Sequence, residues 1–428
     1  MHLSNRIKKL REAAGIERED LADGIVSYSH LSNIESGRFI PSHEILIALA
    51  EKLNVPKEYF LKHKEKDQQL EGLLNLLKKN IDLSNLKDAE TVINRIQLEY
   101  PLIQSIEQET FFYLLKTYYW FKIGQKETAY QSFEHQVLPL LNNIEAEAIP
   151  DLMKEVYYYL WAMYHFHKES YHESHQYLIK LFPLVNEPIV KAAVHYNLAL
   201  ALIRMNNSKV AISYALDALN IYLHERKWAE AADTDNLLGI IYWENGDLID
   251  AEKHLNRALD MVIQYRLSNL ESTVYHNFGL LYKSKKEIEK SKEYFLRSIE
   301  LKKNQNQHQR LVITYIPLLN IYMEQGLLDQ VKSILLEVKQ HTSKKFELCV
   351  LKEIEAKLNL KTGNFNEYVL LMKETIDYFY ENKLWKFVEY NAIQLAEFYQ
   401  TKRVYKQSSK FYQMALKANK KLCGRDLD

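Results

Sequence analysis

The chain has 428 residues but only 11 Gly and 8 Pro, where average usage would give about 30 and about 20. Hydrophobic residues make up 47% of the sequence and charged residues 26%. Sandwiches, barrels and Rossmann-type folds need Gly and Pro in their many loops, so this composition disfavours them and predicts an all-α protein of long amphipathic helices. The length exceeds what one compact core usually supports, which predicts several domains or a repeat array.

The sequence carries 56 basic and 56 acidic residues, which excludes a global electrostatic attraction to nucleic acid or to an anionic membrane. Any DNA contact must therefore be local. No apolar run approaches the ~18 residues of a membrane span, and the first residues lack the apolar core of a signal peptide. Two cysteines, Cys349 and Cys423, stand far apart. These features predict a soluble, reduced, cytoplasmic protein without a membrane partner.

The first sixty residues predict a small domain of four or five short helices, because apolar residues recur there at helical spacing between capping and stopping residues. The predicted helices run from Leu3 to Ala14 with Gly15 as the stop, from the acids at 17–20 to about Ile25, from Tyr28 to Ser36 after the cap Ser27, and from Pro41-Ser42 onward.

This region resembles the phage-repressor-like (Xre-type) helix-turn-helix family through Leu21-Ala22, Ser32-Asn33-Ile34-Glu35-Ser36-Gly37 and Pro41-Ser42, over residues 3 to about 61. In that family the third helix enters the major groove. The resemblance implies that Tyr28, Ser29 and Asn33 read base edges and that Ser27, Arg38 and Lys9 contact phosphates. It also implies that Arg11 and Glu35 pair inside the fold.

One departure from that family concerns charge. Its members often carry a Gln near the start of the second helix that reaches a phosphate, whereas Glu17, Glu19 and Asp20 stand there in this chain. Residues 1–62 hold nine basic and nine acidic side chains. This balance of charge predicts a weak non-specific affinity for DNA. Dimerisation would have to supply the remaining binding affinity.

The rest of the chain is an internal repeat. Residues at equivalent positions recur at spacings of 37 or 40, in the series Ala162, Ala199, Gly239, Gly279, Leu319, Ala356 and Ala396. The strings that begin at Leu238 and Phe278 resemble the tetratricopeptide pattern. In that pattern small residues let the two helices of a repeat approach each other closely. A unit centred on Thr117 fits less well. We expect domains at 1–62 and 71–428 joined by a linker at 63–70, with eight or nine helical pairs in a right-handed superhelix around a concave channel.

The repeat register places a set of polar and aromatic residues on the inner face of that channel. Carboxamides offer both a donor and an acceptor and so can hold the backbone of an extended peptide of any sequence. The expected peptide-binding residues are four asparagines, Asn197, Asn236, Asn277 and Asn320, three cations, Arg204, Lys283 and Lys357, and the walls Tyr196, Trp243, His276 and Met323.

A helix-turn-helix followed by such repeats resembles the peptide-pheromone receptors of the Rgg/Rap/NprR/PlcR/PrgX group over nearly the whole chain. The resemblance implies a homodimeric transcription factor that binds double-stranded operator DNA and a short signalling peptide, with Asn277 as the anchor of the peptide backbone. A peptide that favours one dimer arrangement would change the distance between the two DNA-reading helices and so switch operator binding.

Two alternatives remain open at this stage. One class of the group dephosphorylates a response regulator with a glutamine that orients water, and Gln68, Gln69, Gln97, Gln104 and Gln108 lie in the corresponding region. The other is an interaction scaffold with a vestigial DNA-binding domain. Phosphate-loop, dinucleotide, nucleophile-elbow and zinc-protease motifs are missing from the sequence, so we expect no enzyme and no cofactor.

A histidine cluster, His165, His167, His172 and His175, raises the question of a metal site. These residues straddle the predicted turn between two helices, and no Cys or carboxylate spacing completes a ligand set. A solvated or packing role is the expected one, and we expect no metal.

Overall fold

The structure is a computed structural model that describes residues 2–142, 144–307, 310–340, 342 and 344–422. Within these ranges every regular element is a helix and no strand occurs, which confirms the all-α prediction. None of the described helices is long and apolar enough to cross a bilayer. Two compact units, Met1–Thr234 and Asp235–Asp428, divide the chain and are described separately below. Cys349 is buried and unpaired, and Cys423 lies outside the described residues.

The first five helices form a small domain, which we call the head. They are α1 (Leu3–Ala13), α2 (Arg18–Ala22), α3 (Tyr28–Glu35), α4 (His43–Lys52) and α5 (Glu58–Leu61). Their core consists of Ile7, Leu21, Leu31, Leu49 and Phe60, all without solvent exposure. The prediction for this region is confirmed except at the end of α2. The backbone leaves the helical region at Asp23 (φ −54°, ψ 129°), so α2 stops before Ile25.

Local capping explains where the head helices begin and end. The Ser27 hydroxyl accepts a hydrogen bond from the backbone N–H of His30 (3.2 Å), and Ser42 does the same for Ile45 (3.4 Å). Gly15 has φ +65°, a left-handed conformation that ends α1 at little cost in a residue without a Cβ. The expected pair inside the fold is also confirmed, with Arg11 Nε 2.6 Å from Glu35 Oε1.

The remaining helices form nine successive pairs in the described part of the chain, in agreement with the predicted eight or nine. In order they are α6 (Gln68–Asp82) and α7 (Leu86–Glu99), α8 (Ile106–Lys122) and α9 (Lys126–Ser132), then, after the short α10 (Leu138–Leu141), α11 (Asp151–His167) and α12 (Tyr171–Leu181), α13 (Pro188–Arg204) and α14 (Ser208–His224), α15 (Trp228–Glu244) and α16 (Leu248–Gln264), α17 (Ser268–Ser284) and α18 (Ile288–Asn304), α19 (Leu311–Glu324) and α20 (Leu328–Gln340), α21 (Lys345–Lys361) and α22 (Phe365–Glu381), and α23 (Trp385–Thr401) and α24 (Tyr405–Leu422).

The residues of the repeat series lie where the two helices of a pair approach most closely. A Cβ added to Gly239 would stand 2.6 Å from Leu255 Cγ, and one added to Gly279 would stand 2.5 Å from a ring carbon of Phe295. The other members of the series are fully buried, namely Ala162, Ala199, Leu319, Ala356 and Ala396. The repeat register derived from the sequence is therefore confirmed.

The pair α8/α9 departs from this regularity at the point where the sequence pattern is weakest. Helix α9 ends at Ser132, and residues Phe133–Val137 form one π-helical turn before α10. The Thr117 and Ser132 hydroxyls are 2.7 Å apart, so this pair of helices meets through polar groups. The linker is also shorter than the expected 63–70, because α6 already begins at Gln68 with Asp67 as its cap.

The close approach at Gly279 generates a test of the array. Gly279→Ala should lower the free energy of unfolding by about 1–3 kcal/mol, because Phe295 fills the space that the new methyl group needs. Gly72→Ala in α6 is the matched control. No atom lies within 4 Å of the position that a Cβ would take there, so higher helix propensity should stabilise that variant by up to about 1 kcal/mol. Chemical denaturation measures both values, and equal stabilisation by the two substitutions would contradict the packing argument.

Candidate functional site

The residues expected to contact DNA lie together on the outer face of α3 and just beyond it. Tyr28 is 50% exposed, and Ser27, Ser29, Asn33 and Arg38 are exposed as well. The opposite face of the same helix supplies Leu31 and Ile34 to the head core. A short helix with one buried apolar face and one exposed polar face can therefore present its N-terminal side chains to a groove.

Arg18 is a member of this surface that the sequence analysis missed. Its Nε donates to Glu35 (2.9 Å), and its Nη1 donates to the Tyr28 hydroxyl (3.3 Å). The hydrogen bond to Glu35 is the main cause of the raised pKa of Arg18. Glu35 thus orients two arginines, Arg11 in the core and Arg18 at the surface beside Tyr28. The signal in the sequence was a single basic residue among the acidic residues at the start of α2.

Lys9 lies elsewhere. Its ammonium donates to the carbonyl of Gln136 (3.3 Å) and stands 4.2 Å from the centre of the Tyr113 ring, so it faces the repeat helices of its own chain. Burial lowers the pKa of Lys9. Because this ammonium is already engaged within the chain, the expected phosphate contact does not fit its position, and Lys9 is not part of the DNA surface proposed below.

In the second unit, two of the four expected asparagines contact each other. Asn277 Nδ2 donates to Asn236 Oδ1 at 2.7 Å, which joins α17 to α15, and both residues are over 90% buried. This is the only side-chain hydrogen bond of either amide within the described residues. The NH2 group of one amide and the carbonyl oxygen of the other are left without a side-chain partner, whichever way round the two amides are placed. The pair therefore matches the C=O and N–H of a peptide group.

His276, beside Asn277, ends a polar chain that the sequence analysis did not foresee. Lys302 Nζ donates to Thr314 Oγ1 (2.5 Å), and Thr314 Oγ1 lies 3.2 Å from His276 Nδ1. Burial, together with the charge of Lys302, lowers the pKa of His276 to about 3, so the ring is neutral. The ammonium donates to the threonine hydroxyl, and the direction of the hydrogen bond between that hydroxyl and Nδ1 depends on which nitrogen of the ring carries the proton.

Lys302 itself is 3% exposed, and no carboxylate of the described residues forms an ion pair with it. Burial is the main cause that lowers the pKa of Lys302 to about 8, and Arg310 adds to the effect. A buried cation without an anionic partner is costly. The polar chain therefore carries an uncompensated positive charge towards His276.

The other expected peptide-binding residues of the second unit do not join this cluster. Trp243 Nε1 donates to the Ser284 hydroxyl (2.7 Å). Lys357 donates to Glu353 (2.6 Å) and lies 3.4 Å from the Tyr390 hydroxyl, so its charge is already paired. Lys283 and Asn320 are half-buried, and Met323 is buried in the core.

Three expected peptide-binding residues belong to the first unit. The Tyr196 hydroxyl donates to Asp233 (2.7 Å), and burial raises the pKa of Tyr196 well above its ordinary value. Asn197 is half-buried and Arg204 is exposed. Tyr196 is therefore a fixed donor to Asp233 rather than a simple apolar wall.

The histidine cluster is built into aromatic packing. His165 stacks on Trp161 and Tyr177 with ring centres 5.5 and 5.4 Å away, and His167 stacks on Tyr130 at 3.7 Å. His172 lies 3.0 Å from the Gln176 amide, and His175 is half-buried. The part of the chain that the structure describes contains no group of three or more His, Cys, Asp or Glu placed to hold a metal ion.

Comparison with known protein families gives one match in the head and one match in the repeat helices. Residues 7–60 match the family model described as "Helix-turn-helix", and residues 230–304 match the one described as "Tetratricopeptide repeat". These matches cover the head and the repeats α15 to α18.

Two curated proteins and one solved structure extend this similarity. The transcriptional activator NprA of Geobacillus stearothermophilus is 26% identical over 415 residues, which cover 92% of this chain and 98% of that protein. Response regulator aspartate phosphatase A of Bacillus subtilis (strain 168) is 25% identical over 172 residues, covering 39% of this chain and 46% of that protein. The crystal structure of NprR in complex with its cognate peptide NprX has a TM-score of 0.61 at 15% identity, covering 82% of this chain and 98% of that one. The chain therefore combines a helix-turn-helix match in the head with a tetratricopeptide match in the repeats, and it is similar over nearly its whole length to a transcriptional activator.

Proposed function

We propose that this protein is a cytoplasmic transcription regulator that binds operator DNA as a homodimer and is switched by a short signalling peptide. The observation that carries the DNA part is the exposed polar face of α3. Tyr28, Ser29 and Asn33 stand on that face while the other face of the helix is buried. The similarity to a transcriptional activator over nearly the whole chain supports the same conclusion.

The polar face of α3 suits direct reading of bases in the major groove. An asparagine amide can bond an adenine edge through two atoms at once, and a serine hydroxyl or a tyrosine edge can contact a base or a thymine methyl group. Arg18 holds the Tyr28 hydroxyl and so reduces the rotamer freedom of that ring. Ser27 and Arg38 would contact the phosphates on either side. A half-site that contains A·T pairs is the expected target.

The peptide part of the proposal rests on the pair Asn236 and Asn277. The donor and the acceptor that this pair leaves unused fit one peptide group of an extended ligand without regard to its sequence. The neutral His276 offers a further hydrogen-bonding group next to the pair. A positive charge at Lys302 behind it favours a peptide with a carboxylate at this point. The solved complex of NprR with its cognate peptide is a precedent for a peptide ligand in this fold.

The switch follows from differential binding. A ligand that binds one conformation of the repeats better than another shifts the population towards that conformation by its difference in affinity. In a dimer, such a shift changes the distance between two α3 helices. Half-sites lie about one helical turn, or a multiple of it, apart on DNA, so a changed distance alters operator binding.

A second candidate function is dephosphorylation of a response regulator, which the similarity to a phosphatase over 172 residues favours. Of the five glutamines in the corresponding region, Gln108 is 5% exposed and bonds both backbone groups of Asp67, so it is not free to orient water. Gln68, Gln69, Gln97 and Gln104 are exposed. Loss of phosphate from a phosphorylated receiver domain, faster with the protein than without it, would establish this activity.

The DNA surface yields a first prediction. Tyr28→Ala and Asn33→Ala should each weaken binding to the selected operator at least tenfold, because a good base contact is worth about 1–3 kcal/mol of discrimination. Glu51→Ala on the exposed face of α4 is the control and should leave binding unchanged. The operator is obtained by selection from sheared genomic DNA of the host, and binding is measured by fluorescence anisotropy. Retained binding by both α3 variants, with unchanged circular dichroism, would show that these side chains do not read the operator, whereas failure of the wild type to select any operator would favour the scaffold alternative.

The peptide surface yields a second prediction. Asn277→Ala should raise, by about tenfold, the peptide concentration that gives half of the maximal effect on operator binding. The reason is that the truncated pair loses a buried hydrogen-bonding group. The small-peptide fraction of the host's spent medium is the probe, titrated into the operator assay. The matched control is Asn366→Ala, an exposed asparagine of α22. An equal response of wild type and Asn277→Ala would remove this residue from the peptide site.

A further inference from the structure

The head is held against the repeat helices of its own unit through Arg6, a residue that the sequence analysis did not single out. Arg6 lies on α1 and has no solvent exposure, although its charge would normally keep it at the surface. Its partners come from both sides of the contact. Nε donates to Glu109 Oε2 on α8 (2.9 Å), and Nη2 lies 2.7 Å from the same oxygen.

The remaining donors of the Arg6 guanidinium are directed at backbone carbonyls. Nη1 donates to the carbonyl of Tyr59 in the head (2.6 Å) and to that of Gln104 before α8 (2.6 Å), and Nη2 donates to that of Ile103 (3.2 Å). A buried ion pair is stable only when further hydrogen bonds satisfy the remaining donors and acceptors. This cluster meets that condition.

Tyr59 closes the cluster from the head side. Its ring lies under the guanidinium, 4.1 Å from the Arg6 Cζ, and its hydroxyl donates to Glu109 Oε1 (2.6 Å). Burial, with the charge of Glu109 as the second cause, raises the pKa of Tyr59, which keeps the donating proton in place. Both oxygens of Glu109 are thus bound to the head, one by α1 and one by α5.

A second line of contacts joins α1 to the irregular segment after α9. Asn5 Nδ2 donates to the carbonyls of Leu140 (3.1 Å) and Asn142 (2.8 Å), and Lys9 donates to that of Gln136 (3.3 Å). Carbonyl groups at a π-helical turn and at the end of α10 lack regular helical partners. Side chains of α1 bind carbonyl groups of this irregular segment and so attach it to the head.

The connection between the head and α6 is bound as well. The backbone N–H of Ile106 donates to the His63 carbonyl (2.9 Å), and the Gln108 amide bonds both backbone groups of Asp67. Lys66 Nζ lies 2.6 Å from Glu107 Oε1. Residues 63–67 are therefore attached to α8 and do not act as a free tether.

We infer that Arg6, Tyr59 and Glu109 are positioning residues for DNA recognition, because they fix the orientation of the head, and with it α3, relative to α8. The docked head leaves Tyr28, Ser29 and Asn33 exposed, so docking and DNA binding are compatible. A docked head transmits the geometry of the repeats to the DNA, whereas a tethered head would accept many half-site spacings. The inference rests on the proposed dimeric DNA-binding function.

The test compares half-site spacing preferences. Glu109→Lys places a cation against Arg6 and leaves the sequence of the head intact, so the DNA-reading surface itself is unchanged. Wild type is expected to prefer one spacing at least tenfold in a library of operators with spacers of varied length. Glu109→Lys is expected to bind all spacings within about threefold of one another. A purely structural role of Glu109 would instead lower binding at every spacing and to a single half-site alike.

Two comparisons accompany this variant. Glu90→Lys on the exposed face of α7 is the matched charge reversal and should keep the sharp preference. The exchange Arg6→Glu with Glu109→Arg restores the opposite charges and should recover at least part of the preference. Should Glu109→Lys fail to fold, Asn5→Ala combined with Lys9→Ala removes the second line of contacts while the ion pair stays in place, and it should broaden the preference to a smaller degree.

Docking is measured without DNA by trypsin cleavage at Lys62, Lys64 and Lys66 and by hydrogen exchange of the Ile106 amide. Both should be at least tenfold faster in Glu109→Lys than in wild type and Glu90→Lys. Accelerated cleavage with an unchanged spacing preference would overturn this inference and leave the proposed function standing. Unchanged cleavage would show that Glu109 does not hold the head and would overturn it as well. Failure of the wild type to select any two-fold symmetric site would overturn the proposed function, and the inference with it, whatever the cleavage rates.

Discussion

The structure depends on the close approach of two helices within each repeat. A single pair of helices cannot bury its apolar faces, so each pair must pack on its neighbours, and this stacking requires the two backbones to lie near each other. At Gly239 and Gly279 the space for a Cβ is already filled by Leu255 and Phe295. At the turns between helices one residue adopts a left-handed backbone conformation. At many turns, such as those at Asn206 and Lys286, this residue is not glycine. This explains how a chain with only 11 glycines forms so many junctions.

Regular stacking also determines where polar groups can be buried. Most positions between neighbouring helices are apolar, so each polar group placed there needs a partner from an adjacent helix. Asn236 and Asn277 form a hydrogen bond with each other, and Thr314 connects Lys302 to His276. These groups keep unused hydrogen-bonding capacity and an unpaired charge, whereas Lys357 is neutralised by Glu353. The contrast separates a candidate ligand surface from polar residues that only stabilise the array.

The head joins this array by an interface of a different kind. Apolar packing holds neighbouring repeats together, but a buried ion pair and a set of carbonyl acceptors hold α1 and α5 against α8 and the segment that follows α9. Such contacts are directional, so they specify one orientation more strictly than apolar surfaces do. Losing one charged partner would leave the other buried and uncompensated. Helix α3, which the head carries, therefore has a defined direction relative to the first repeats.

Features set by neighbours in sequence could be derived without the structure. Helical spacing, the caps Ser27 and Ser42 and the repeat period depend on residues a few positions apart, so the all-α class and the register were predictable. The resemblance to known helix-turn-helix domains supplied the pair Arg11 and Glu35. Tertiary structure alone decided the partners of Arg6, Lys9 and Lys302. Arg6 and Glu109 are 103 positions apart, and Lys302 lacks a carboxylate among the described residues because of how α18 packs on α19. Patterns of polarity say which side chains face inward, but the partner that each one meets depends on helix packing, which no local spacing encodes.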